Sequence, residues 1–266
     1  MCCFLPPHFV GCWNYFVIPL SQPQKRQLPR TLCEIALDIF LEIIYIYTIK
    51  RGKCLKKENK ELIQKIKTIS RNGFHNIETI SNEDIDFLTQ NIKSTDNEIV
   101  EKIYWAIGQI GIHSPERIKH LINYAFDDLE NECPIIRENA LFAIGITGRA
   151  NINLIQDKIN EIVKMNKDKN AKVRMAMIWA CENIANSKAD LFKPYIKIFE
   201  EMLDDEDEQY VKKEIPEIFR VIGKYNPELV EKSLEKLKGK LNDNNRVMRI
   251  HIKGAIKIIE KGVIKK

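Results

Sequence analysis

The residues of this 266-residue sequence that could do chemistry are scattered, and their spacing decides what they can do. Its five histidines are His8, His75, His113, His120 and His251. None belongs to an H-E-x-x-H arrangement, and His113 and His120 stand seven residues apart. The seven cysteines contain no C-x-x-C pair and are odd in number, which points away from zinc or dithiol chemistry. Five of them, Cys2, Cys3, Cys12, Cys33 and Cys54, precede the rest of the chain's pattern; Cys133 and Cys181 lie within it, Cys181 at a position reading as a small buried hydrophobe. A reducing compartment, the cytoplasm, is the expected setting. Gly108 with Gly111 and Gly145 with Gly148 follow no strand and so are packing glycines, not phosphate loops. The acidic run from Asp204 to Glu208 lacks the glycine and spaced ligands of a calcium loop and reads as a solvated turn. No catalytic residue, metal or cofactor is expected.

Two recurring columns remain. Trp105, Phe142 and Trp179 stand 37 residues apart, with Glu101, Glu138, Met175 and Glu182 beside them. Rings grouped on an accessible face make binding anchors for a partner protein; alternatively they fill the seam between neighbouring helices. The second column is basic: Arg137, Arg174, Lys212 and Arg249. These could meet phosphate, where a guanidinium fork works well.

The elements that must carry these columns are repeats. The frame at Ile136 (IRENALFAIGITG) returns at Ile99, Val173, Val211 and Met248, in steps of 37, 37, 38 and 37 residues. That periodicity is the signature of a solenoid. Each anchor opens a second helix, and first helices are expected near 115–129, 152–165, 190–203 and 227–241, two of them opened by Ser114-Pro115 and Asn226-Pro227. Asn82-Glu83-Asp84 opens a further helix, and a degenerate first repeat or cap begins near residue 56. No alternating strand pattern occurs, so the class is all-α: a right-handed alpha-alpha solenoid of about five helix pairs. On a helical projection, offsets 0, 4, 7, 8 and 11 from each anchor face the core, and the ring column at offset 6 falls on the opposite side.

The expected boundary separates an atypical segment, 1–55, from the array, 56–266. Residues 1–30 carry five prolines and no leading basic residue, so they make a poor secretory signal. Residues 31–49 are very apolar, yet Glu34, Asp38 and Glu42 recur every four residues, which fits an amphipathic docked helix better than a membrane span. A third reading takes this segment as upstream sequence included by a wrong start. Net charge is +5 overall, divided as about +7 over 50–71, +8 over 236–266 and −10 between them. Basic ends around an acidic middle mark either a partner surface or solvated helix faces.

The second helices resemble those of the HEAT family. A basic residue follows the anchor at Arg137, Arg174, Lys212 and Arg249, though Val100 breaks the column. Small or apolar residues sit seven on at Ala106, Ala143, Ala180, Ile218 and Ala255, and twelve on at Gly111, Gly148, Ala185 and Gly223, where Glu260 departs. Asp96, Asp168, Glu206 and Asp243 stand near the turns, and the resemblance implies that the basic column ties neighbouring repeats together through an acid near the turn. The likeness covers about residues 60–262 and implies a scaffold for proteins or nucleic acids. One enzyme family on this repeat, deoxyhypusine hydroxylase, uses His-Glu pairs, which are absent. The alkylation-repair DNA glycosylases resemble it in placing a Trp on a concave face, but Gln109 occupies the place of their catalytic Asp, four residues after Trp105. The expectation is therefore a non-enzymatic scaffold binding a partner protein on its concave second-helix face, with nucleic acid as the alternative partner.

Overall fold

A computed structural model describes residues 57–207 and 209–264. The Pro- and Cys-rich start, the 31–49 segment and the boundary expected at 55 lie outside these residues.

Second helices form one layer, in chain order α1 (Lys57–His75), α3 (Asn97–Gly111), α5 (Pro134–Ala150), α7 (Ala171–Lys188), α9 (Ile215–Tyr225) and α11 (Arg246–Ile264). Each packs on the next. First helices form the other layer: α2 (Asn82–Asn91), α4 (Lys119–Asp127), α6 (Ile159–Lys164), α8 (Ile196–Met202) and α10 (Leu234–Gly239). There is no strand among the described residues. Over the described residues the fold is an α-solenoid of five helix pairs preceded by α1.

The core runs unbroken between the layers. Ile99, Ile103, Ala106, Ile107 and Ile110 of α3, and Ile136, Ala140, Ala143 and Ile144 of α5, are buried within one cluster. These are the apolar offsets of the repeat, so a single stripe per helix fuses with its neighbours into one continuous interior. Helix spacing across that layer is set by small residues. A Cβ on Gly145 would lie 2.7 Å from the Ala180 Cα, so α5 and α7 approach as closely as they do because that side chain is missing.

The helix starts depart from expectation in three places, each for a local reason. Ser81, not Asn82, caps α2: its hydroxyl accepts from the Asp84 amide at 3.1 Å while the Asp84 carboxylate accepts from the Ser81 amide at 3.0 Å. First helices are entered through 3-10 turns. The longest, Ala189–Tyr195, contains Pro194, which lacks an amide hydrogen and would strike the carbonyl four residues back in an α-turn. Pro216 acts likewise on the fourth repeat. The helix expected from Val211 begins at Ile215, with the proline in its first turn, and residues 209–214 form tight turns instead.

Candidate functional site

Offset 6 of α3, α5 and α7 places Trp105, Phe142 and Trp179 on the side of the second-helix layer away from the main core. There they form a separate apolar cluster with Ile146, and Ile112 packs against it. The three rings are a ladder. Trp105 and Phe142 stack with centroids 4.2 Å apart, Phe142 and Trp179 with centroids 5.1 Å apart, each pair within 8° of parallel. One-repeat spacing plus a common offset brings successive rings face to face, and each such pair adds about 0.5–1.5 kcal/mol to its burial. Gly108 makes room: a Cβ there would sit 2.5 Å from the edge of the Phe142 ring.

The ladder is unequally covered. Phe142 and Trp179 are 5% and 6% exposed, whereas Trp105 is half-buried and is the ring open to solvent. Met175, expected beside the stripe, is only 1% exposed. Glu101 and Glu138 are half-buried on the same helices, and Glu101 holds Lys102 at 2.7 Å. At the next repeat the stripe ends in Glu217, which pairs with Arg220 at 2.6 Å. Ile112 and Ile146 also belong to the cluster; sequence reading missed them because they occupy offsets 13 and 10, outside the column that repeats.

Glu182, one turn beyond Trp179, is unusual. Burial pushes its carboxyl well above the ordinary range, and the like charges of Glu217 and Glu214 push it further, with Arg220 opposing them weakly. Part of the residue still reaches solvent.

The basic column is engaged within the array. Arg137 grips Asp168 with both fork nitrogens, Nε at 2.6 Å and Nη2 at 2.8 Å, and Nη1 donates to the Asn131 carbonyl at 2.6 Å. Arg174 repeats this on Asp205, at 2.9 and 2.7 Å, with Nη1 on the Asp168 carbonyl. Lys212 meets Asp243 at 3.1 Å, and Arg249 donates to the carbonyls of Asp243 and Asn244. Asp205, rather than Glu206, is the turn acid of the fourth repeat. Each such acid also closes its own loop, Asp168 accepting from the Asn170 amide and Asp205 from the Asp207 amide, both at 2.8 Å. With both fork nitrogens of Arg137 and Arg174 so committed, neither presents a free fork to a phosphate.

The histidines are dispersed. His120 meets the Thr89 hydroxyl at 3.0 Å, and His251 Nδ1 lies 2.8 Å from the Lys213 carbonyl. No group of three His, Cys, Asp or Glu side chains with metal-binding geometry occurs among the described residues. Cys181 is fully buried, and burial raises its thiol well above the usual value, with Glu182 adding to the effect. No helix among the described residues is long and apolar enough to cross a membrane.

No family model matches this chain. No curated protein matches it either. Solved structures do. An engineered protein shares 16% identity and a TM-score of 0.54, covering 78% of this chain and 98% of its own. A designed armadillo repeat protein, in complex with the peptide (KR)4, shares 20% identity and a TM-score of 0.53, over 75% of this chain and 98% of that one. A second designed armadillo repeat protein gives 18% and 0.52 over 75% and 98%. At such identities the likeness establishes the fold, an armadillo-like helical repeat.

Proposed function

We propose that this chain is a non-enzymatic, HEAT-like scaffold that binds a partner protein along the face of its second helices, with Trp105 as the presented anchor. The observation that carries this is the ladder itself: an apolar cluster separate from the main core, on the face opposite it, with one large ring left half-open. Phe142, itself backed by Trp179, holds that ring by stacking, so little side-chain freedom remains to be lost on binding. Glu101 and Glu138 supply a polar rim beside it, the arrangement of a small hot spot. A designed armadillo repeat protein of similar fold is found in complex with the peptide (KR)4, which supports a protein or peptide partner for this chain.

The test is a photo-crosslinking amino acid at Glu101, on the rim beside Trp105, in the full chain, with a control at the exposed Lys232. A discrete crosslinked protein at 101, absent at 232 and insensitive to nuclease, supports the reading. A nuclease-sensitive product, or binding to duplex DNA that falls steeply with salt, would replace the protein partner with nucleic acid. Adding Trp105→Ala to the crosslinking chain is expected to abolish the crosslink at 101 while costing only about 1–2 kcal/mol of stability, since the ring is half-exposed; Trp179→Ala, at a buried ring, should cost about 3–5 kcal/mol.

A further inference from the structure

The far end of the array carries a second surface that the partner-binding face does not explain. An open groove of about 800 Å³ runs between α10 and α11. Its floor is Leu241, Ile256 and the 82% exposed Ile264; its rim is Lys238, Lys253, Lys257 and Lys261. Lys238 is paired with Glu260 at 2.6 Å. Lys253, Lys257 and Lys261 are exposed and meet no acid among the described residues. They recur every four residues, so they stand in line on one face of α11, about 6 Å apart. On every earlier second helix the corresponding flank is covered by the next one, and no helix among the described residues covers α11.

The same chain holds a complement. Residues 31–49 contain no Lys or Arg, and their only charges are Glu34, Asp38 and Glu42, also every four residues. At helical spacing these three carboxylates match the three-lysine row step for step, and the surrounding Ile, Leu and Phe match the apolar floor. Net charge is −3 on the segment and +3 on the groove once Glu260 is counted.

We propose that the α10–α11 groove of one copy receives residues 31–49 of a second copy, so that the chain self-associates end to end. With residues 31–49 seated whole in the groove, reach makes the donor another copy. From α1 to α11 there are five helix-to-helix steps, about 40–50 Å at 8–10 Å each. The chain between residues 49 and 57 spans under about 30 Å even when extended. The contact is heterologous, so it builds either a closed ring or a growing chain. It uses none of the Trp105 face and stands or falls separately from it.

The test is sedimentation of the full chain over a concentration and salt series, wild type against K253E/K257E/K261E, with circular dichroism to verify folding. Wild type should associate more weakly as salt rises, and the triple reversal should weaken self-association by about 10- to 100-fold. The reciprocal variant E34K/D38K/E42K should fail to self-associate, and mixing the two reversed proteins should restore assembly. A wild-type chain that stays monomeric at all concentrations overturns the proposal, as does association indifferent to the lysine reversal. Loss without restoration in the mixture overturns it too and assigns the lysines to some other anion. Vesicles containing phosphatidylserine separate that last case: lysine-dependent binding by a monomeric chain would mark a membrane surface instead.

Discussion

At the scale of single residues, opposite pKa directions divide the acids of this protein into two kinds. Burial works against the charge on Asp168, but the Arg137 guanidinium and the Asn170 amide outweigh it and hold the carboxyl below its usual value. Among the described residues Glu182 has no such donor. Burial and the charges of Glu217 and Glu214 raise it far above that value, so a proton is retained that the unfolded chain would lose. The sign follows from linkage: an acid raised on folding costs nothing below its unfolded pKa and progressively more as pH rises through the window up to its folded pKa. Glu182→Gln keeps the shape and removes the titration. It should leave the urea midpoint unchanged near pH 4 and raise it increasingly toward pH 8. A gain that is equal at both pH values would show that the carboxyl ionises freely in the folded chain.

At the scale of elements, the ladder depends on how near one second helix can come to the next. Gly108→Ala makes the point with one methyl group. In a free helix the change would favour folding by about 1 kcal/mol. Here the new Cβ would sit 2.5 Å from the Phe142 ring, and overpacking of that kind costs about 1–3 kcal/mol. The expected outcome is net destabilisation, together with a change in tryptophan fluorescence as the stack with Trp105 opens. In a Phe142→Leu background the penalty should largely vanish; if it persists, the clash is not the cause. The column of rings was legible in the sequence, because a common offset at a 37-residue step needs only counting. Which rings are covered was not legible, since coverage depends on how far each repeat rotates against the next. Pro216 was visible as well, yet the anchor rhythm alone runs the helix through it. The turn acid of the fourth repeat was misplaced by one residue for a related reason. The step from Asp168 to Asp205 keeps to 37, and the extra residue of the 38-residue repeat falls between Asp205 and Val211, so counting back from the anchor lands on Glu206.

For the molecule as a whole, the ties of the basic column are the same bond made three times: Arg137 to Asp168, Arg174 to Asp205 and Lys212 to Asp243. Arg137 and Arg174 join the first turn of a second helix to the loop before the next, Lys212 does so from the turns just ahead of α9, and all are largely buried. In an array whose stability is close to a sum of unit and nearest-neighbour terms, such ties decide whether the repeats unfold together. Their pH dependence is shared. Asp243, like Asp168, is held below its ordinary value: burial opposes its charge, but the Asn245 amide and Lys212 prevail. Acids depressed on folding contribute stability that is complete above the unfolded pKa of about 4 and is lost as pH falls through the folded value. Acid should therefore loosen the Arg137–Asp168 and Lys212–Asp243 seams in the same pH range. Asp168→Asn should cost about 1.5–3 kcal/mol at pH 7, the value of hydrogen bonds to a charged partner, with the difference from wild type shrinking below pH 4. Because it severs one seam, it should also broaden the urea transition, with amides of α1 to α5 and of α7 to α11 exchanging at separate denaturant concentrations. A variant that loses stability but keeps a single sharp transition at every amide would show that the continuous core, rather than the ties, makes the repeats cooperate.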